Sequence, residues 1–332
     1  MRNKLPCDIC PTRRTTHVCF SGFCDPLENV QVVGIRRQFS VYKARYSILD
    51  DSSSSSEKPI FSIDELAKKL RQIRDMGWVP NRRPGNQGGA GNTLEDLLGI
   101  KENNFQAPDY GPYELKTHTK GGSYLTLFHQ ESANNGYVKN LLPLYGWKHK
   151  TLDEWRISIT VSGRIFTGRG FRVVVDRINR QVRVDFDIDK VKPRADYKEW
   201  LGRVRNIKPG RTAMSSLWDA TAVQEAVSEV TSAWEGPVWP FDLLERILYN
   251  KIYNLVVVRA DKRKSASGVD EYRYTSANIY ERTSLDSFLD YIERGYIYID
   301  FDARTRHNHG VKYRLNDLGL LVPLYETVAT LM

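Results

Sequence analysis

The sequence has no long hydrophobic run, and no stretch approaches the roughly 18 apolar residues that a membrane-spanning helix needs. Its start, MRNKLPCDIC, also lacks the apolar segment of a secretory signal. These absences exclude an integral membrane protein of the helical kind and argue against secretion. We therefore expect a cytoplasmic protein without a membrane partner.

Cysteine is absent after residue 24, and all 4 cysteines lie near the start of the chain, at Cys7, Cys10, Cys19 and Cys24. A cluster of this kind in a cytosolic protein indicates a metal site more often than disulfides. Four thiolates suit tetrahedral Zn2+, and His17 could replace one of them. Four unpaired thiols or a redox pair are the alternatives. The pattern predicts a small zinc-binding module over residues 1–50, which has too little core to fold alone without such a metal.

A serine-rich segment follows this module. Residues 51–60 contain the run Ser52–Ser56 and then Glu57-Lys58-Pro59, a composition typical of a flexible linker. We therefore expect one large domain over residues 61–332. Its segments alternate between helical periodicity and short strand-like runs, which predicts an α/β fold with a mixed sheet of the α+β kind. The first helix begins after Ser62, which forms a capping box with Glu65.

Acidic residues are outnumbered: 49 Lys and Arg face 40 Asp and Glu, for a formal net charge of +9. This balance favours a polyanionic partner, although charge alone does not distinguish DNA, RNA and a membrane surface. The sequence shows no internal repeat and no heptad pattern for a dimer helix, which favours a monomer.

Two carboxylates and a lysine lie close together in the segment APDYGPYELKTHTK. Glu114 and Lys116 are two residues apart in a predicted strand, so their side chains leave the same face. Asp109 precedes them across a turn that can bring its carboxylate beside Glu114. With the backbone carbonyl of Leu115, these groups form a hard oxygen site suited to Mg2+. The alternative is a surface turn and strand with an ordinary salt bridge.

The surroundings of this segment resemble the MvaI/BcnI family of restriction endonucleases, relatives of the MutH mismatch-repair nickase. The resemblance is carried by a glycine-rich loop, then TLEDLLGIKENN, then PDYGPYELK. The resemblance is close over about thirty residues and weaker over residues 61–332. The matching residues are Thr93, Leu94, Glu95, Leu97, Leu98, Gly99, Ile100, Glu102, Asn103, Asn104, Pro108, Asp109, Gly111, Glu114, Leu115 and Lys116.

The resemblance implies roles for these residues. Asp109 and Glu114 would be Mg2+ ligands, Lys116 the catalytic lysine, and Glu95 an additional catalytic acid, in a core of the PD-(D/E)xK kind. For Glu95 the alternative is a helix N-terminal acid stabilised by the helix dipole. The implied protein is a type II restriction enzyme of the prokaryotic cytosol, which cleaves double-stranded DNA as a monomer at a short, CCNGG-like site. A cognate DNA methyltransferase would accompany it without having to bind it.

Two loops carry groups suited to DNA. The glycine-rich loop offers guanidinium and amide groups for phosphates, and a second loop near the end of the chain, which by resemblance belongs to the DNA-reading region, offers groups that read base edges. Solvated surface loops are the alternative, and the His-x-His pair could also bind a metal. The predicted DNA-binding residues are Arg82, Arg83, Asn86, Gln87, Arg304, Arg306, His307, Asn308 and His309.

Two other functions remain open from sequence. One is a MutH-like strand nickase in DNA repair, which would use the same chemistry with a partner protein. The other is a non-enzymatic, zinc-containing DNA-binding protein in which the acidic cluster is structural.

Overall fold

The computed structural model describes residues 62–85, 88–100, 108–121, 124–134, 142, 145–149, 151–192, 234, 236–305 and 308–332. The chain divides after Ile60 into two units, and every described residue belongs to the second, Phe61–Met332. None of the helices in these ranges is long and apolar enough to cross a membrane. Outside the described residues lie Cys7, Cys10, Cys19, Cys24, Asn86, Gln87, Arg306 and His307.

Four α-helices and a 3-10 helix lie in the described part of the chain. The α-helices are α1 (Ile63–Asp75), α2 (Gly89–Leu98), α3 (Phe241–Lys251) and α4 (Leu285–Glu293), and the 3-10 helix is Leu318–Leu324. The predicted start of α1 is confirmed, because the Ser62 hydroxyl accepts a hydrogen bond from the Glu65 N–H at 3.4 Å. Its Leu66 and Leu70 are fully buried, as the helical periodicity predicts.

The helix α2 begins earlier than its sequence indicates. The LEDLL motif, with Asn92 or Thr93 as its cap and Gly99 at its end, predicts a short helix, whereas α2 begins at Gly89. Gly89 packs so tightly that a Cβ atom there would lie 2.6 Å from the Tyr272 hydroxyl. Tertiary packing therefore extends the helix by a turn beyond its local capping signal. Its predicted end is confirmed, since Gly99 caps it with a left-handed φ of 74°.

The strands form three sheets. The strands are β1 (Val79–Pro80), β2 (Glu114–Thr119), β3 (Leu125–His129), β4 (Trp147–Lys148), β5 (Trp155–Val161), β6 (Arg169–Asp176), β7 (Gln181–Val191), β8 (Val238–Pro240), β9 (Asn254–Lys264), β10 (Asp270–Glu281), β11 (Ile297–Arg304), β12 (Asn308–Leu315) and β13 (Thr327–Thr330). Sheet 1 has the order β1-β10-β9-β2, with β13 also on β10; sheet 2 has the order β3-β12-β11-β5-β4; sheet 3 has the order β6-β7-β8. Alternating residues at 171–176 and 181–187 around Ile178-Asn179-Arg180 predict a hairpin, which the antiparallel pair β6 and β7 confirms.

Among the described strand pairs, only β2 and β9 run parallel. The β9 stretch LVVV, residues 255–258, is buried on both faces, as is typical of a strand in a parallel pairing. Together with four helices, this arrangement confirms the predicted mixed α/β fold.

Two hydrophobic clusters cover the two faces of sheet 1. Leu115 on β2 and Val256 on β9 belong to the smaller cluster, which includes α1 and α2. Leu255 and Val257 belong to the larger cluster, which includes α3, α4 and sheet 2. Because side chains alternate along a strand, the neighbours of Leu115 on β2 leave the face opposite α2. This face carries Glu114 and Lys116, in register with Leu255 and Val257.

Candidate active site

A tight turn folds Asp109 back onto the start of β2. Tyr110 and Tyr113 exchange backbone hydrogen bonds of 2.9 and 3.0 Å, and Gly111 between them has a φ of 58°, in the left-handed region that favours glycine. The Leu115 N–H donates a hydrogen bond of 3.0 Å to Asp109 Oδ2. The turn therefore holds the Asp109 carboxylate against the first residues of the strand, as the sequence predicts.

Glu114 is the buried centre of the site, with a side chain only 5% exposed. Lys116 Nζ donates a hydrogen bond of 2.6 Å to Glu114 Oε1. The two residues thus share one face of β2, as their spacing predicts. The Lys116 side chain is 22% exposed, so part of it remains accessible from solvent.

A second lysine contacts the same carboxylate. Lys251 Nζ lies 3.5 Å from Glu114 Oε2. It belongs to the last turn of α3, whose residues Leu244 and Leu248 are buried in the larger cluster. The helix therefore fixes where this ammonium group lies. Sequence reasoning missed Lys251, since a lysine in the last turn of a helix is also what the helix dipole favours.

The pKa of Glu114 is raised above its ordinary value. Burial is the largest cause, because it penalises the charged carboxylate, and the nearby Asp109 carboxylate raises the pKa further. The ammonium groups of Lys116 and Lys251 act in the opposite direction and lower it. In this site a desolvated carboxylate repels a neighbouring carboxylate, and two ammonium groups partly neutralise its negative charge.

The donor set suits Mg2+. Asp109 and Glu114 supply carboxylate oxygens that repel each other, and a divalent cation between them would relieve this repulsion. No group of three His, Cys, Asp or Glu side chains that could hold a metal occurs among the described residues, so Glu95 does not join the two carboxylates in such a group. Mg2+ needs no third carboxylate, because it retains water and also binds substrate phosphate.

The two arginines of the glycine-rich loop have different surroundings. The Arg83 guanidinium forms a two-point ion pair with Asp96 on α2, with distances of 2.6 and 3.1 Å. This contact lowers the pKa of the Asp96 carboxyl. The Arg82 side chain is exposed, and its backbone N–H donates to Thr93 Oγ1 at 3.2 Å.

Three of the predicted base-reading residues, Arg304, Asn308 and His309, lie on sheet 2. Arg304 is the last residue of β11, and its Nε donates to Asp302 Oδ1 at 3.2 Å. Its Nη1 lies 3.9 Å from the Glu154 carboxylate. Asn308 and His309 begin β12. Arg304 is therefore held in a fixed orientation on a strand rather than within a loop.

Comparison with known proteins identifies the family. The MvaI/BcnI restriction endonuclease family model matches residues 67–322. The fold is similar to that of the restriction endonuclease MvaI in a complex with its cognate DNA substrate, with a TM-score of 0.61 and 24% identity over 84% of this chain and 100% of that one. MvaI in the absence of DNA matches with a TM-score of 0.42 and 24% identity over 85% and 100% of the two chains.

A comparison with curated proteins finds no match. The family match covers well over half of the chain and includes the turn and the strand that carry Asp109, Glu114 and Lys116. The chain belongs to the MvaI/BcnI restriction endonuclease family, a family of site-specific DNA nucleases.

Proposed function

We propose that this protein is a Mg2+-dependent type II restriction endonuclease of the PD-(D/E)xK kind, which hydrolyses phosphodiester bonds in double-stranded DNA. The observation that carries the proposal is the convergence of Asp109, Glu114 and Lys116 at the start of one strand. In addition, the similar structure of MvaI is a complex with cognate DNA, which favours duplex DNA as the substrate.

Each side chain has a distinct task in this proposal. Asp109 and Glu114 would hold Mg2+, which supplies charge to polarise the phosphodiester and lowers the pKa of a bound water. Lys116 Nζ, released from Glu114 Oε1, donates a hydrogen bond to the attacking water or to a phosphate oxygen. Its positive charge then offsets the negative charge that develops on the phosphoryl group.

Lys251 and Glu95 would act around these three residues. Lys251 keeps its contact with Glu114 Oε2 and so holds the carboxylate ionised while Lys116 turns to the substrate. Glu95 on α2 is the additional acid that the family resemblance implies. Since it lies on the helix that packs against Leu115, it would act on the site from the opposite side of β2.

The decisive experiment is digestion of plasmid DNA with Mg2+, followed by sequencing of the ends. We expect linear products with defined ends at a short, CCNGG-like site, and a monomer in sedimentation analysis. Glu114→Gln and Lys116→Met should each lower the cleavage rate by about 10³-fold or more while they leave the fold intact. Unchanged cleavage by either variant would refute the assignment. A purified protein that only relaxes supercoiled plasmid would instead be a MutH-like nickase.

The four cysteines support a separate proposal of a structural Zn2+ bound by Cys7, Cys10, Cys19 and Cys24. Metal analysis of protein purified without chelator should find one zinc ion per chain. A double substitution of Cys7 and Cys10 by serine should remove it. Absence of zinc from the unmodified protein would contradict this proposal.

A further inference from the structure

A groove of about 640 Å³ opens at the far end of the strand that carries the candidate active site. It is lined by the end of β2, by the middle of β9 and β10, and by the segment that follows β12. Lys120, which lines it, lies four residues beyond Lys116, or about 13 Å of extended chain. This length corresponds to about four base-pair steps of B-DNA.

The groove forms where one face of sheet 1 loses its apolar cover. On β9, Leu255 and Val257 are buried on the face that Glu114 and Lys116 share, but the next residue on that face, Arg259, is exposed. On the opposite face, burial continues through Ala260. Only the face that carries Glu114 and Lys116 changes from buried core to open surface at Arg259. The groove therefore lies on the same face of sheet 1 as the candidate active site.

The basic side chains of the groove are the ones available to a ligand. Lys120 and Arg259 line it, and neither side chain forms an ion pair with another described residue. The two acidic residues differ: Asp261 forms an ion pair with Arg273 Nη2 at 2.7 Å, whereas Asp317 accepts a hydrogen bond from the Gly319 N–H at 2.8 Å and keeps its negative charge. Lys120, Arg259 and Arg273 together outnumber Asp261 and Asp317, so the groove keeps a net positive charge, carried by Lys120 and Arg259.

The polar lining between these cations matches the groups that hold DNA backbones. A register shift between Tyr274 and Ser276 on β10 interrupts the pairing with β9, and Thr275 and Ser276 both line the groove. Hydroxyl groups beside lysine and arginine are typical phosphate-binding groups, and phosphate contacts fix the register of a protein on a duplex. A bulge of this kind often lies beside a functional site.

We propose that this groove binds the phosphate backbone of the DNA duplex a few base pairs from the cleaved linkage, through Lys120 and Arg259. The proposal rests on the proposed nuclease function and adds a second contact region to it. Lys120 and Arg259 hold the duplex and do not touch the reacting phosphate. Their loss should weaken binding for all sequences alike and leave the chemical step unchanged.

The test compares two double variants that remove the same charge. One is Lys120→Gln with Arg259→Gln; the control is Lys68→Gln with Lys190→Gln, which alters exposed lysines on α1 and β7. Binding to a duplex of about 30 base pairs is measured in EDTA between about 50 and 200 mM salt. Cleavage at saturating DNA with Mg2+ and thermal unfolding are measured on the same samples.

We expect the groove variant to reduce the slope of log affinity against log salt by about 1.8, because each lost phosphate contact contributes about 0.9. Affinity at low salt should fall on the order of tenfold, while single-turnover cleavage at saturating DNA stays within about twofold of the unmodified protein. The control should retain most of the slope. The single variant Lys120→Gln should show half of the effect.

Two results would overturn the inference. If the unmodified protein cleaves DNA but the groove and control variants show the same slope, the groove does not bind the backbone and the nuclease assignment still holds. If the unmodified protein neither binds duplex DNA nor cleaves it with Mg2+, the proposed function fails and this inference fails with it.

Discussion

Two lysines contact the two oxygens of one buried carboxylate. Replacing each lysine in turn therefore distinguishes its effect on the charge of Glu114 from a role in cleavage. Lys116→Met and Lys251→Met each remove one ammonium group from Glu114 and replace it with an apolar side chain of similar length. Lys116 Nζ is the closer, at 2.6 Å from Oε1, while Lys251 Nζ is 3.5 Å from Oε2. The two variants therefore form a matched pair around the same group.

The expected loss of stability follows from these distances. A hydrogen bond to a charged group contributes about 1.5–3 kcal/mol, and a contact at the distance limit contributes less. Both lysine side chains are about one-quarter exposed, at 22% and 25%, so solvent screens part of each interaction. We expect Lys116→Met to lower the free energy of unfolding by about 2 kcal/mol and Lys251→Met by about 1 kcal/mol.

The two variants should differ far more in cleavage rate than in free energy of unfolding. A group that donates to the reacting atoms contributes on the order of 10²–10⁴-fold, so Lys116→Met should lose about 10³-fold in single-turnover rate. Lys251→Met acts only through Glu114, and a loss of about 1.4 kcal/mol in positioning corresponds to about tenfold. The assays are Mg2+-dependent plasmid cleavage and urea unfolding on the same preparations.

Equal losses of cleavage in the two variants would refute this reasoning. Both lysines would then act only by keeping Glu114 ionised, and Lys116 would have no task of its own at the phosphate. The Lys116→Arg variant adds a control, because it keeps the charge beside Glu114 but changes the geometry of the donor. It should retain most of the stability and recover little of the cleavage.

Three further predictions concern other parts of the chain. Glu131 follows β3, and its Oε1 accepts a hydrogen bond from the Val311 N–H at 3.2 Å. Burial raises the pKa of its carboxyl, so the protein is most stable while Glu131 is protonated at low pH and loses stability as the pH rises through the folded pKa. Glu131→Gln should therefore match the unmodified protein in urea unfolding at pH 4 and exceed it in stability at pH 8. Ser62→Ala should lower the free energy of unfolding by about 1 kcal/mol through loss of the helix cap, measured in the same way. The Arg83 guanidinium is already paired with Asp96, whereas the Arg82 side chain is exposed. Arg82→Gln should therefore reduce the slope of log DNA affinity against log salt by about 0.9, while Arg83→Gln leaves the slope nearly unchanged. Equal effects of the two variants would contradict this assignment.

The contact between Glu114 and Lys116 could be predicted because it is local. Strand periodicity alone places both side chains on one face, and the turn at Gly111 is readable from the segment around it. The start of α1 was predictable for the same reason, since its cap is encoded within four residues. Contacts between residues that are close in the chain follow from local backbone geometry, which can be predicted from a single sequence.

Lys251 and the start of α2 could not be predicted in this way. Lys251 reaches Glu114 from 137 residues further along the chain, and only the parallel pairing of β2 with β9 brings them together. The first turn of α2 depends on Tyr274, whose hydroxyl donates to the Ala90 carbonyl at 2.7 Å. Both features depend on contacts between distant segments, for which the local pattern carries no signal.

The late position of β9 in the chain has a consequence for synthesis on the ribosome. The strand that borders β2, and the helix that supplies Lys251, are translated only after about three-quarters of the polypeptide. A nascent or prematurely terminated chain that ends before residue 241 holds Asp109, Glu114 and Lys116 but lacks both β9, which pairs with their strand, and Lys251. Such fragments should be inert towards DNA, so an interrupted translation event would not release an unregulated nuclease in the producing cell.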